Sequence, residues 1–174
     1  MDHFTLAADG LLLRPFEESD APEVLRALRD PDVAAWSPAD QQPPRLADAQ
    51  QWVAQRANWS SEDHVSFAVV LADSGVLAGS VSLFKLDRLN SCADIGYWVM
   101  PEARGRGIAA TSTAAVTRWA LSAGRIFRVQ LFHAVDNPAS CRVATRAGFA
   151  LEGTLRSSYR YGDGALHDEH LHSR

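Results

Sequence analysis

Asp94-Ile95-Gly96-Tyr97-Trp98-Val99-Met100-Pro101-Glu102-Ala103-Arg104-Gly105-Arg106-Gly107-Ile108-Ala109-Ala110 is the stretch on which the rest of the chain hangs. Ile95, Tyr97 and Val99 alternate with Asp94, Gly96 and Trp98, the two-residue period of a strand. Pro101 has no amide hydrogen to donate and ends that ladder. Ala109, Ala110, Ala114 and Ala115 then build a helix, with Ile108, Ala115 and Trp119 near one stripe. Between strand and helix, Gly105 and Gly107 permit positive φ and close approach of a ligand to the backbone. The first amides of the helix have no partners within it and lie at the positive end of its dipole. Such a loop suits a phosphate or pyrophosphate, with Arg104 and Arg106 adding charge beside it. The competing reading is a glycine turn carrying two solvated arginines.

Working outward, 174 residues suffice for one domain with a full core, taken as 1–174. Hydrophobic residues at 47% and charged residues at 22% are those of an ordinary globular protein. A net charge of -4 argues against a nucleic-acid partner, although local arginines still suit a small anion. Cys92 and Cys141 offer neither a metal-ligand spacing nor a disulfide framework, so no metal is expected and a reducing compartment is. No long apolar run follows the first residues, so neither a signal peptide nor a membrane span is expected. The expected location is the cytoplasm.

On the N-terminal side, Leu11, Leu12 and Leu13 before Arg14-Pro15 read as a first strand. Asp20 and Glu23 have the spacing of a capping box ahead of Val24, Leu25 and Leu28, and Asp30-Pro31 stops that helix. Pro38, Gln41, Pro43 and Pro44 mark a loop between Trp36 and Arg45. Leu46, Ala49, Val53 and Ala57 follow at helical spacing, with Trp52 and Trp59 read as core or groove wall. Val65, Phe67, Val69 and Leu71 alternate, Asp73-Ser74-Gly75 turns the chain, and residues 76–84 complete a hairpin. Residues 85–90 are polar and lead into the strand at 92–99.

On the C-terminal side, the helix ends near Gly124, and residues 128–135 form a strand with Val129, Leu131, His133 and Val135 on one face. Asn137-Pro138 starts a helix that runs to Ala147 and is closed by Gly148. Residues 149–155 read as a strand, 159–164 as a turn and 166–171 as a last strand. Helices separate some strands but not all, which indicates an α+β fold with a sheet of mixed direction.

With these segments in order, Arg104-Gly105-Arg106-Gly107-Ile108-Ala109 resembles the acyl-CoA pyrophosphate motif of the GNAT superfamily of N-acetyltransferases. Asp94-Ile95-Gly96-Tyr97-Trp98-Val99 resembles the strand before that motif, and Asn137-Pro138-Ala139-Ser140 the start of a later helix. Ala147-Gly148-Phe149 with Glu152-Gly153-Thr154-Leu155-Arg156 is similar to the segment after it. The branch resembled includes the enzymes that acetylate the N-termini of ribosomal proteins, and the likeness spans about residues 11–171. It implies a mixed, mostly antiparallel sheet flanked by about four helices, with acetyl-CoA wedged between two splayed central strands. No metal, nucleic acid or membrane enters that expectation, and a monomer or a homodimer is compatible with it.

Carried over residue by residue, the resemblance implies that the amides of Arg104, Gly105, Arg106, Gly107, Ile108, Ala109 and Ala110 hold the pyrophosphate. Trp98 and Val99 flank the pantetheine arm, Val99 by main-chain pairing. Asn137 binds it from the far side, a role compatible with an N-cap. Ser140 resembles the serine that donates to the leaving thiolate; the tyrosine many relatives place seven residues after the asparagine is here Ala144. The competing reading of Ser140 is a first-turn helix residue bonding its own backbone.

Attack of an amine on a thioester needs a base, and Asp94 stands where relatives often carry a glutamate. The shorter side chain reaches less far and calls for a water; a solvent-facing carboxylate is the competing reading. His133 is a second candidate base, and Glu152 a weaker one better read as an ion-pair partner of arginine. The resemblance puts Arg142 and Arg146 within reach of the nucleotide phosphates, with exposed helix arginines as the competing reading. The acceptor is an amine, either a protein N-terminus or a small molecule, shaped by residues 36–59 and 159–172. A non-catalytic acyl-CoA sensor is the alternative reading.

Overall fold

A computed structural model describes residues 2–38, 45–61 and 63–174. Its strands are β1 (Leu6–Ala8), β2 (Leu11–Arg14), β3 (His64–Leu71), β4 (Leu77–Asp87), β5 (Cys92–Val99), β6 (Arg128–Ala134), β7 (Ala150–Arg160) and β8 (Leu166–Ser173). Its helices are α1 (Ala21–Leu28), α2 (Pro31–Ala35), α3 (Leu46–Ala57), α4 (Ile108–Ser122) and α5 (Pro138–Arg146). One sheet runs β1-β2-β3-β4-β5-β6-β8-β7. Every neighbouring pair is antiparallel except β5 and β6, which run parallel. The expected mixed α+β sheet is therefore the observed one, with five α-helices among the described residues where about four were expected.

Both faces of the sheet are covered, and β3 shows why its alternation is incomplete as a guide. Val65, Phe67 and Val69 join the cluster beneath α4, while Ala68 and Val70 pack with Val24, Ala49 and Val53 of α1 and α3. A strand buried on both sides loses the polar half of its pattern. Trp59 lies at 1% exposure and donates its indole N–H to the Ser66 carbonyl at 3.1 Å, so it belongs to the core. Trp119 packs edge-on and tilted against Phe67 and Phe4, as the α4 stripe requires.

Several local expectations change. Asp20 does not cap α1 through Glu23; it accepts the Glu17 N–H at 2.9 Å and the Arg14 guanidinium at 2.7 and 2.8 Å. Glu23 pairs with Arg26 instead. Asp30-Pro31 ends α1 but also opens the short α2, because the Asp30 side chain accepts the Val33 N–H at 3.1 Å. β1 lacks a recognisable run and was not expected from the sequence. β4 extends past Phe84 to Asp87 through an irregularity, with Lys85 at positive φ. β7 likewise reaches Arg160, with Ser157 at positive φ where the register shifts. Gln41, Pro43 and Pro44 of the expected loop lie outside the described residues.

The feature that positions the site is a fork. β5 and β6 pair only at Cys92–Arg128, Ala93–Val129 and Asp94–Gln130. Beyond Asp94, β5 stays on β4 as far as Val99–Gly79, and β6 stays on β8. The inner edges of both strands therefore carry main-chain groups that the sheet does not use.

Candidate active site at the fork

A groove of about 600 Å³ opens where the strands part. Tyr97, Trp98 and Val99 form one wall, and Asn137, Pro138, Ala139 and Ser140 at the start of α5 form the other. The glycine loop and the first residues of α4 close one end, while Arg142 and Arg146 stand along α5. Val33, Trp36 and Ser37 of the α2 region make the outer rim.

The loop has the backbone form that its glycines imply. Gly105 and Gly107 adopt φ +74° and +78°, and a side chain at either would meet nothing within 4 Å. Glycine is thus required by conformation and not by crowding. The helical ladder takes up its first amide at Thr111, on the Gly107 carbonyl at 3.0 Å, so the amides of Ile108, Ala109 and Ala110 precede it. The Arg104 amide is already engaged, weakly, by the Pro101 carbonyl at 3.3 Å.

The side chains of the two loop arginines lie in different surroundings. The Arg104 guanidinium is clamped between Asp30 and Asp32, reaching Asp32 at 2.6 Å. Burial works to raise the Asp30 carboxyl, but hydrogen bonds from Arg104 and the Val33 N–H outweigh it and hold the group below the usual range. Arg106 borders a different pocket, beside Asp9 and Thr111. The groove's cationic groups are therefore Arg142 and Arg146, together with Arg104 in its acidic clamp.

Asn137 caps α5: its Oδ1 accepts the Ser140 N–H at 3.1 Å. Gly148 at φ +84° ends the helix, with its N–H on Thr145 and that of Phe149 on the Ala144 carbonyl at 3.0 Å. Ser140 is thereby held half-buried on the groove wall. Across from it lies a residue that the sequence reading passed over. The Tyr97 hydroxyl is buried and makes no hydrogen bond of acceptable geometry. Burial pushes it up to about 12, with the Ser140 side chain acting in the opposite sense. Tyr97 was legible as an inward strand position, but not as the owner of an unpartnered hydroxyl.

Asp94 lies at the last paired position before the fork, at 8% exposure. Its carboxylate meets the Lys85 ammonium at 2.8 Å, and it does not contribute to the groove lining. His133 faces away into a histidine cluster. Glu152 is paired with Arg128 and accepts from Ser173, which pulls it down to about 2. That is the ion-pair role expected for it. The two segments expected to shape the acceptor site meet: Trp36 packs against Tyr161 and His167, and Pro38 bridges to Tyr161.

A family model described as an acetyltransferase (GNAT) domain matches residues 10–150. The chain belongs to that family and is an acetyltransferase. Over 142 residues it is 32% identical to the ribosomal-protein-serine acetyltransferase of Escherichia coli K12, covering 71% of this chain and 79% of that one. Among solved structures, RimL, a ribosomal L7/L12 alpha-N-protein acetyltransferase in complex with coenzyme A, superposes at TM-score 0.88. It is 23% identical, with 98% of this chain and 97% of that one covered. The microcin C7 self-immunity acetyltransferase MccE, in complex with acetyl-CoA and AMP, superposes at 0.85 with 23% identity, over 95% and 92%. No helix among the described residues is long and apolar enough to cross a membrane.

Proposed function

We propose that the chain transfers an acetyl group from acetyl-CoA to the α-amine of a protein N-terminus, by direct attack in a ternary complex. The observation that carries this reading is the fork between β5 and β6 with a helix N-terminus and its glycine loop at one end. An extended pantetheine arm fits between the unpaired edges, with the main chain of Val99 pairing to it and Trp98 beside it. The pyrophosphate then lies on the amides of residues 105–110, with Arg104 fixing the loop through Asp30 and Asp32 and Arg142 and Arg146 supplying charge. In this reading Arg106 contributes its backbone only.

The chemistry follows from the groups on the two walls. The amine nitrogen attacks the thioester carbonyl, the C–S bond breaks, and the sulfur leaves as a thiolate that takes up a proton. Ser140 supplies the hydrogen bond to that sulfur, and Tyr97, protonated at neutral pH, is the second donor within the same wall-to-wall gap. Asp94 takes the ammonium proton through a water, since its carboxylate stops short of the groove. Similarity to the E. coli ribosomal-protein-serine acetyltransferase supports a peptide amine as acceptor.

Release of free CoA thiol from acetyl-CoA, followed against N-terminal peptides, polyamines and amino sugars, tests the reading. Turnover with peptides alone is the expected result. Turnover with a small amine alone would replace the acceptor, and no turnover with any of them would remove the proposal.

A further inference from the structure

We propose that His133, Cys141, His170 and His172 form a four-ligand site for a zinc ion, at the junction of β6, β8 and the first turn of α5. One potential donor atom from each residue lies within 4.8 Å of all the others. The sequence spacing concealed this, because the four residues come from three elements. His133 stands opposite His170 in the β6–β8 pairing, and His172 lies two residues further along β8, on the same face. Cys141 reaches the cluster from α5, one residue after Ser140.

The arrangement has the chemistry of a ligand set. The His133 Nδ1 sits 2.8 Å from the Ala134 carbonyl oxygen, which can only accept, so Nδ1 carries the proton. The lone pair of the neutral ring is then on Nε2, pointing into the cluster. An outer hydrogen bond of this kind is what fixes the tautomer of a metal-bound imidazole. The Nε2 atoms of His133 and His172 face each other at 3.2 Å. Two imidazole nitrogens bound to one tetrahedral zinc are about 3.3 Å apart, given Zn–N bonds near 2.0–2.1 Å. At the widest separation, closing on the ion takes about an ångström of movement.

Burial adds a second, independent reason. His133 and His172 are 4% and 2% exposed. The Nδ1 atoms of His170 and His172 are buried without a hydrogen-bond partner, and the ion relieves only that of His170, because His172 offers it Nε2. Three imidazoles packed with ring centroids 5.1–6.1 Å apart and ring nitrogens left over are a poor substitute for apolar packing. A thiolate with three imidazoles is a donor set that selects zinc over hard cations. The ion would tie the start of α5 to the sheet beside Ser140, and it takes no part in the transfer step.

The full chain, reduced and stripped with a chelator, is titrated with Co²⁺ and then Zn²⁺. The expected result is one equivalent of Co²⁺ with thiolate-to-cobalt charge-transfer absorption and the intense visible bands of a tetrahedral ion, all bleached by Zn²⁺. Cys141→Ser removes the charge-transfer band, His170→Asn weakens Zn²⁺ binding at least tenfold, and Cys92→Ser changes neither. Circular dichroism checks that each variant is folded; should one fail, the wild-type and Cys92→Ser titrations still decide. A wild-type chain that takes up no stoichiometric Co²⁺, or a charge-transfer band that survives in folded Cys141→Ser, overturns the site.

Discussion

Asn137 Oδ1 accepts the backbone N–H of Ser140 at 3.1 Å, so the cap of α5 also sets the height of the serine on the groove wall. Asn137→Ala removes the cap and should cost about 1 kcal/mol, or about 2–4 °C in Tm for a chain of this size. Asn137→Asp should restore the Tm, because a carboxylate caps as well as an amide. A CoA affinity that stays low in the Asp variant would show that the amide nitrogen holds the pantetheine. Thermal unfolding alongside CoA titration separates the two effects.

Ser140→Ala should lower kcat by about 10²-fold while CoA affinity changes little, the range expected for loss of one positioned proton donor. Tyr97→Phe removes a hydroxyl that is buried without a partner. Its stability should be unchanged or raised by about 1 kcal/mol. If kcat falls in Tyr97→Phe and not in Ser140→Ala, the tyrosine is the donor.

Asp94→Asn should reduce turnover by about 10²-fold and leave CoA binding intact. Lys85, at 74% side-chain exposure, remains solvated when its partner is neutralised, so the fold should tolerate the change. Full activity in this variant would remove Asp94 from the mechanism.

The clamp on Arg104 has a pH signature. A carboxyl held low in the folded state contributes stability above its unfolded value, near 3.9 for aspartate, and loses it as pH falls through the folded value. Asp30→Asn keeps the N-cap on Val33 but drops the charge. It should cost about 1 kcal/mol at pH 7, and the gap to wild type should shrink as pH falls below the unfolded value and close as it passes the folded one. Denaturant unfolding across that range is the check; a gap that widens in acid contradicts the assignment.

Gly107→Ala places a side chain at φ +78° in open space, so the cost is backbone strain alone, about 1–2 kcal/mol. Relief of that strain tilts the first amides of α4. CoA affinity should weaken about tenfold, measured by calorimetry, whereas Gly75→Ala, also at positive φ but in the β3–β4 turn, should lower stability without touching affinity.

What the sequence by itself determined was local. The strand over residues 94–99, the stop at Pro101, the glycines at positive φ, the Asn137 cap and the Gly148 stop each depend on neighbouring residues, and each was found in place. Both the glycine loop and the serine helix could therefore be read before any contact was known. Tertiary structure alone decided the rest. Where β5 leaves β6, that Arg104 turns to Asp30 and Asp32, that Asp94 meets Lys85, and that His133, Cys141, His170 and His172 converge are all relations between distant segments. Strand register and helix docking set such relations, and a one-residue slip in the register of β5 or β6 would send Asp94 or His133 to the other face.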